Sequence, residues 1–253
     1  MDLKLNGKTA IITGSSKGIG NAIAKSLHSE GCNVILNGRN IIQLEEAYKE
    51  FPDNASFHPA DVTQFDDCIQ LVNEAKKKFG KIDILICNVG NGQSAPPGFE
   101  NIDDYKKMLD INFFTAINMI YASIDELSRT KGAIVCISSI AGIEVTGAPI
   151  TYSVSKAALN SFIHGIARPL AKKNIRINAI APGNIFFEGS VWEKKLKQDN
   201  TKTQKMLEDN VALQKFGIPE DIAYLTTFLV SPLSSFLTGS VIVLDGGQVR
   251  SYF

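Results

Sequence analysis

The chain has 253 residues, and its 26 basic and 26 acidic residues balance to a formal net charge of zero. That balance argues against a dedicated nucleic-acid or membrane-surface binder. Hydrophobic residues make up 44% and charged residues 21%, so the composition is that of a globular chain long enough to bury a sizeable core without staples.

The N-terminal stretch MDLKLNGKTA lacks the apolar core of a secretory signal, and no apolar run approaches the roughly 18 residues that span a bilayer. KTAIIT (8–13) reads as a first strand, followed by a helix over 19–30. NVILN (33–37) is a second strand, then come a helix over 41–51 and a short strand over 56–58. A helix over 64–79 stops at Gly80, and IDILIC (82–87) is a fourth strand. A long helix is predicted over 102–127, then a strand GAIVCIS (132–138), a helix over 151–173 and a strand IRINAI (175–180). A helix over 219–230 and a strand SVIVLD (240–245) complete the pattern. Strands that alternate with helices and are nearly continuous Val, Ile and Leu imply a parallel sheet covered on both faces. The expected fold class is α/β: one Rossmann-like, doubly wound, seven-stranded parallel sheet with helices on both faces, spanning residues 1–253 as a single domain.

Residues 184–214, with a charged run over 193–205, interrupt this rhythm and read as a lid or substrate loop. Cys32, Cys68, Cys87 and Cys136 form no C-x-x-C pair and read as small buried hydrophobes in a reducing, cytoplasmic compartment. His28, His58 and His164 lack metal-ligand spacing, so no metal centre is expected.

Two motifs carry chemistry. The first strand runs into TGSSKGIG (13–20), where Gly14, Gly18 and Gly20 precede a helix. Glycine lets the backbone approach a ligand closely, and free N–H groups at a helix N-terminus favour a pyrophosphate. TYSVSK (151–156) sets Tyr152 and Lys156 four residues apart, on one face of a helix.

The order of these and later motifs resembles the classical short-chain dehydrogenase/reductase family. The motifs are T-G-x-x-x-G-x-G, CNVG (87–90), Asn112, ISS (137–139), the Tyr152/Lys156 pair, APG (181–183) and LDGG (244–247), and together they cover nearly the whole chain. The resemblance extends to members that act as 3-oxoacyl-carrier-protein reductases. It assigns Gly14, Ser16, Lys17, Gly18, Ile19 and Gly20 to the cofactor phosphates, and Asp61 and Val62 to the adenine. It assigns Asn88 and Gly90 to the passage beside the cofactor, and Pro182, Gly183 and Ile185 to the nicotinamide. Val89 and Phe187 depart from the family pattern, which usually has Ala and often has Thr there. At the tip of the second strand, Gly38 stands where an NAD-preferring enzyme would carry an acid, and Arg39 follows. Arg39 and Lys17 therefore select NADP(H) over NAD(H).

The catalytic set implied by the resemblance is Asn112, Ser139, Tyr152 and Lys156. Tyr152 is the general acid/base, and Lys156 lowers its pKa toward neutrality and holds the nicotinamide ribose. Ser139 polarises the substrate oxygen, Asn112 helps hold a relay water, and Ser138 is structural. The expected reaction interconverts a small-molecule carbonyl and a secondary alcohol with NADP(H), with a 3-oxoacyl thioester as the leading substrate. A sugar, polyol or alicyclic alcohol is the alternative, and a non-catalytic cofactor-binding scaffold is the rival from another class. Phe186, Phe187 and Trp192 make the lid entrance aromatic. The resemblance also implies a homotetramer built through the long helices and the last strand.

Overall fold

The computed structural model of the chain describes residues 2–250. Seven strands form one parallel sheet: β1 (Thr9–Ile12), β2 (Asn33–Gly38), β3 (Ala55–Pro59), β4 (Ile84–Cys87), β5 (Ala133–Ile137), β6 (Arg176–Pro182) and β7 (Val241–Leu244). Their spatial order is β3-β2-β1-β4-β5-β6-β7. Successive side chains of a strand point to opposite faces, and here both faces are apolar. In β1, Ile12 joins one core with Leu36, Ile86 and Val135, whereas Ile11 joins the other with Ile35, Leu85 and Ile134.

The first face is covered by α1 (Gly18–Ser29), α2 (Ile41–Tyr48) and α9 (Pro219–Val230), through Ile23, Leu27, Leu44 and Ile222. The second is covered by α3 (Phe65–Phe79), α5 (Thr115–Thr130) and α6 (Ile150–Ala171), through Leu71, Met119, Leu159 and Ile163. Each such fully buried aliphatic side chain contributes about 1.5–3 kcal/mol relative to exposure. The sheet winds in one direction from β1 to β3 and in the other from β4 to β7, which opens a crevice at the C-terminal ends of β1 and β4.

Local chemistry sets the helix ends. Gly80 closes α3 at φ +77°, the left-handed cap that glycine takes at least cost. Asn101 and Asp104 form a reciprocal capping box at the start of α4 (Ile102–Leu109).

Two expectations need correction. The helix predicted over 102–127 runs on to Thr130, but a π turn over Asp110–Phe114 divides it into α4 and α5. Two side chains compete for the backbone ladder there. Asn112 Nδ2 donates to the Met108 carbonyl at 3.1 Å, and Thr115 Oγ1 donates to the Ile111 carbonyl at 2.7 Å. No glycine or proline marks the break, so hydrophobic periodicity passes straight through it. The region after β6 is also not a loop: it folds into α7 (Val191–Gln198) and α8 (Asn200–Asn210), capped by the side chains of Ser190 and Asp199. Among the described residues, no helix is long and apolar enough to cross a membrane.

Candidate active site

A cleft of about 1520 Å³ runs across the C-terminal ends of β1, β2, β4, β5 and β6 and under α7 and α8. At its base lies the glycine loop. Gly14 and Gly18 sit at φ +63° and +59°, where an L side chain is strained. A Cβ on Gly20 would collide with the Gly14 carbonyl oxygen and lie 2.6 Å from Asn88 Nδ2, so only glycine lets α1 start this close to the turn. Asn88 then locks the loop to β4. Its Nδ2 donates to the Thr13 and Gly14 carbonyls at 3.0 and 2.9 Å, and its N–H donates to Thr13 Oγ1 at 3.0 Å. A tight glycine turn at a helix N-terminus fits a dinucleotide pyrophosphate.

At the tip of β2, Gly38 offers no carboxylate, and Arg39 stands 77% exposed with NH1 3.8 Å from Asp61 Oδ2. Asp61 does not cap α3, whose N-cap is Gln64. Its Oδ1 instead accepts from Thr63 N and Thr63 Oγ1 at 3.1 and 2.8 Å in a local turn. Val62 is buried beneath it, and its carbonyl accepts from Asn118 Nδ2 at 3.2 Å. Asn37, which the sequence reading did not single out, lines the same end. Its Nδ2 bridges the His58 and Ala60 carbonyls, while its Oδ1 is buried without a partner among the described residues. An orphaned acceptor beside the tip of β2 is a second feature that fits a nucleotide. Lys17 lies on the rim, with its ammonium beside the lid loop, 3.6 Å from where a Cβ of Gly189 would sit.

The predicted catalytic residues converge from three elements. Ser139, at the end of β5, accepts the Ala141 N–H at 3.1 Å and starts a 3₁₀ turn. Its neighbour Ser138 points away, and its hydroxyl hydrogen-bonds Asn160 of α6, which in turn donates to the Gly142 carbonyl at 3.2 Å. Ser138 is thus a brace for the loop that carries Ser139. Tyr152 and Lys156 project from the first turns of α6 into the cleft. Lys156 is 2% exposed, and its Nζ donates to the Ile137 carbonyl at 2.8 Å. Asn112 stands behind this wall at 1% exposure and does not line the cleft. Its Oδ1 accepts the Asn91 N–H at 2.8 Å and its Nδ2 donates to the Asn91 carbonyl at 3.0 Å. The π turn therefore holds the segment after β4 that passes Gly90, where a Cβ would fall 3.0 Å from Asn112 Oδ1 and 3.3 Å from Lys156 Nζ.

The electrostatics differ from the sequence expectation. Burial raises the Tyr152 pKa, the Ser139 hydroxyl pulls the other way, and the net direction is upward. The Lys156 ammonium lies 5.8 Å from the Tyr152 ring centroid and is committed to the Ile137 carbonyl rather than to the phenol. Burial also lowers the Lys156 pKa to about 8. Desolvation is the largest cause of both shifts, because removal from water disfavours the charged form of each group.

Sequence reasoning missed the tether at the N-terminus of α6. Glu100 Oε1 accepts the Ile150 N–H and its Oε2 accepts the Gly98 N–H, each at 2.7 Å. Ser94 and Thr151 hydroxyls meet at 2.9 Å beside it. Glu100 thus straps the loop after β4 to the helix end two residues before Tyr152. Fifty positions separate its carboxylate from its α6 partner, so no local pattern reveals it.

Pro182 and Gly183 close β6 against the cleft, and a Cβ on Gly183 would fall 2.7 Å from Asp245 Cβ. Ile185 is buried in the cleft wall, and the adjoining bridge to Gly217 uses the Phe186 N–H and the Asn184 carbonyl rather than the Ile185 N–H. The aromatic entrance divides. Phe187 packs over the glycine loop, with ring atoms 2.7–3.0 Å from where a Cβ of Gly18 would lie. Phe186 turns away to Phe216 at 5.9 Å between ring centroids, and Trp192 meets the same ring at 5.4 Å while lining the cleft. All four cysteines are free and buried.

Residues 14–248 match the family model described as enoyl-(acyl carrier protein) reductase. The 3-oxoacyl-[acyl-carrier-protein] reductase of Rickettsia conorii is 32% identical over 248 residues, covering 98% of this chain and 99% of that relative. The solved L-sorbose reductase from Gluconobacter frateurii, complexed with NADPH and L-sorbose, is 29% identical with a TM-score of 0.92, covering 100% of both chains. A 7α-hydroxysteroid dehydrogenase complexed with NADH and 7-oxo glycochenodeoxycholic acid is 29% identical with a TM-score of 0.89, covering 99% of this chain and 97% of that one. Glycine loop, parallel sheet, clustered Ser139, Tyr152 and Lys156, and end-to-end similarity all lead to one conclusion: the chain belongs to the short-chain dehydrogenase/reductase family of oxidoreductases, which bind a nicotinamide dinucleotide.

Proposed function

We propose that the protein is an NADP(H)-dependent reductase of ketones, with a 3-oxoacyl thioester as its substrate class. The observation that carries this reading is the convergence of Ser139, Tyr152 and Lys156 on one wall of the cleft, above a glycine loop shaped for a dinucleotide. The glycine loop would hold the pyrophosphate of a reduced nicotinamide dinucleotide, whose chemistry would be to supply the hydride for the carbonyl carbon. Ser139 donates a hydrogen bond to the carbonyl oxygen and stabilises the charge that develops there. Tyr152 passes its phenolic proton to the nascent alkoxide, leaving a secondary alcohol. A phenol with an ordinary pKa of about 10 already carries its proton at neutral pH, and burial raises the Tyr152 value further, so the proton is present to be donated. Lys156 holds the ribose and steadies the phenolate that remains. Asn112 fixes the π turn and the Asn91 backbone behind the proton path.

Arg39, Lys17 and the missing acid at Gly38 support NADP(H) over NAD(H). Phe187 and Trp192 on the lid side, and the Rickettsia relative, support an acyl substrate. A sugar or polyol is the second reading, supported by the likeness to L-sorbose reductase. Turnover of acetoacetyl thioesters against a panel of ketoses, with each cofactor, decides between them. Preference for a ketose overturns the thioester assignment, and a higher kcat/KM with NADH overturns the cofactor assignment. Exposed Ile102, Phe114, Tyr121, Ile150 and Val154 over α4–α6, Tyr224 on α9 and fully exposed Phe236 before β7 support a homotetramer. Sedimentation at a monomer mass rejects it.

A further inference from the structure

The lid carries a cluster of cations that the proposed chemistry does not use. Lys194 and Lys195 of α7 and Lys202 of α8 line the cleft beside Trp192. The acids nearest in sequence are already engaged. Glu193 accepts from Lys197 Nζ and from the Gly189 N–H, each at 2.7 Å, and Asp199 caps α8 by accepting the Lys202 N–H at 2.9 Å. None of the three lysines forms an ion pair among the described residues. Lys195 Nζ instead lies 4.3 Å from the Trp192 ring centre, which fixes its position on the cleft wall. Desolvation there, and the like charge of Lys202, lower its pKa. Like charges on one concave surface repel each other, and an anion bound between them relieves that repulsion. The cleft volume of about 1520 Å³ exceeds the roughly 300–1,000 Å³ of a single-ligand pocket, which leaves room for a long substrate beside a dinucleotide.

We propose that Lys195 and Lys202 bind a phosphate-type anionic group carried by the substrate at the end remote from its carbonyl. The inference deepens the reading of the cleft as a reductase site and rests on it. It names a specificity element: the carbonyl is read by Ser139 and Tyr152, and the remote charge is read by the lid. Lysine suits this task as a point charge that tolerates several phosphate geometries. The phosphoryl group belongs either to a pantetheine-type arm or to a small phosphorylated substrate, and the test separates the two.

Trp192 is the sole tryptophan, so its fluorescence reports directly on the Lys195 site. The intact protein, held in saturating NADP⁺ to fill the dinucleotide site, is titrated with coenzyme A, inorganic phosphate and uncharged pantetheine, with calorimetry in parallel. Coenzyme A and phosphate are expected to bind and pantetheine to bind at least about tenfold more weakly than coenzyme A, the ratio of one charged contact. Coenzyme A binding more tightly than phosphate identifies a pantetheine-type arm, and equal affinities identify a small phosphorylated substrate. Lys195→Gln with Lys202→Gln is expected to weaken anion binding about tenfold or more, with an unchanged melting temperature. The proposal is overturned if neither anion is bound by calorimetry, if pantetheine matches coenzyme A, or if the double variant binds as the wild type does. The readout is binding, so it stands or falls separately from whether an acetoacetyl thioester is reduced.

Discussion

The floor and the lid of the cleft are built in opposite ways. On the floor four polar side chains are pinned: Asn88 by three hydrogen bonds to the glycine loop, Ser138 by Asn160, Lys156 by the Ile137 carbonyl and Asn112 by the Asn91 backbone. On the lid, Lys194, Lys195 and Lys202 are exposed and have no acid partner among the described residues. The contrast teaches where each property resides. In the proposed reaction, proton and hydride geometry belongs to the floor, whose strand ends and helix α6 are joined by buried hydrogen bonds. In the same proposal, substrate choice belongs to the pair of lid helices, whose surface carries fewer such constraints.

The largest effect that breaks this contrast is on the floor. Tyr152→Phe is expected to lower kcat by about 10²–10⁴-fold, the usual worth of a positioned general acid, with cofactor affinity within about twofold. Single-turnover kinetics and a binding titration check it, and substantial residual turnover rejects Tyr152 as the acid. Gly20→Ala comes next, because its methyl meets the Gly14 carbonyl and Asn88 Nδ2. Overpacking at such a site costs about 1–3 kcal/mol, so both the melting temperature and the cofactor affinity are expected to fall.

Arg39→Asp changes only the ribose end. It is expected to shift the NADPH/NADH ratio of kcat/KM toward NADH by about ten- to a hundredfold, equivalent to roughly 1.4–2.8 kcal/mol. Steady-state kinetics with both cofactors measures the shift, and an unchanged ratio removes Arg39 from phosphate recognition.

The pH profile sharpens the contrast further. Burial lowers the Lys156 pKa to about 8, so the ammonium is lost as pH rises through that value and turnover is expected to decline above it. Because the folded pKa is depressed for a base, folding favours the neutral amine, and the associated stability grows as pH rises from about 8 toward the unfolded value. Glu100 changes stability in the same direction, but in the acid range. Burial works to raise its pKa, but the N–H groups of Ile150 and Gly98 are among the backbone donors that outweigh it and hold the carboxylate lower. Its contribution is present above the unfolded carboxylate value of about 4.3 and is lost as pH falls through the folded one. Glu100→Gln is expected to lower kcat about three- to tenfold through misplacement of Tyr152 and to flatten the acid limb of the melting curve. An unchanged kcat removes Glu100 as a positioning residue. The smallest effect belongs to the lid, where Lys195→Gln is expected to leave folding stability within about 0.5 kcal/mol.

How far the site was legible depends on whether its parts lie close together in the chain. Gly14, Gly18 and Gly20 announce their loop because they fall within seven residues, between an apolar strand and a helix. Tyr152 and Lys156 are one helical turn apart, so their shared face is a property of the sequence. The π turn around Asn112 was hidden because it keeps the apolar rhythm of the helix and is signalled only by side chains that bond back to the backbone. Glu100 and Asn37 were hidden because their partners come from other elements. Phe186 and Phe187, adjacent in sequence, part company because one packs on Phe216 and the other on Gly18, a choice that belongs to the surrounding walls.

The sequence by itself determined the alternation of buried strands and helices, the glycine turn and the helical spacing of Tyr152 and Lys156. These depend on backbone conformation and on periods of two and 3.6 residues, which neighbours along the chain specify. Only the tertiary structure decided the direction of the Tyr152 pKa, the bond from Lys156 to the Ile137 carbonyl and the unpaired cations of the lid. Burial and long-range partners set those, and both arise only when segments distant in the chain are packed together.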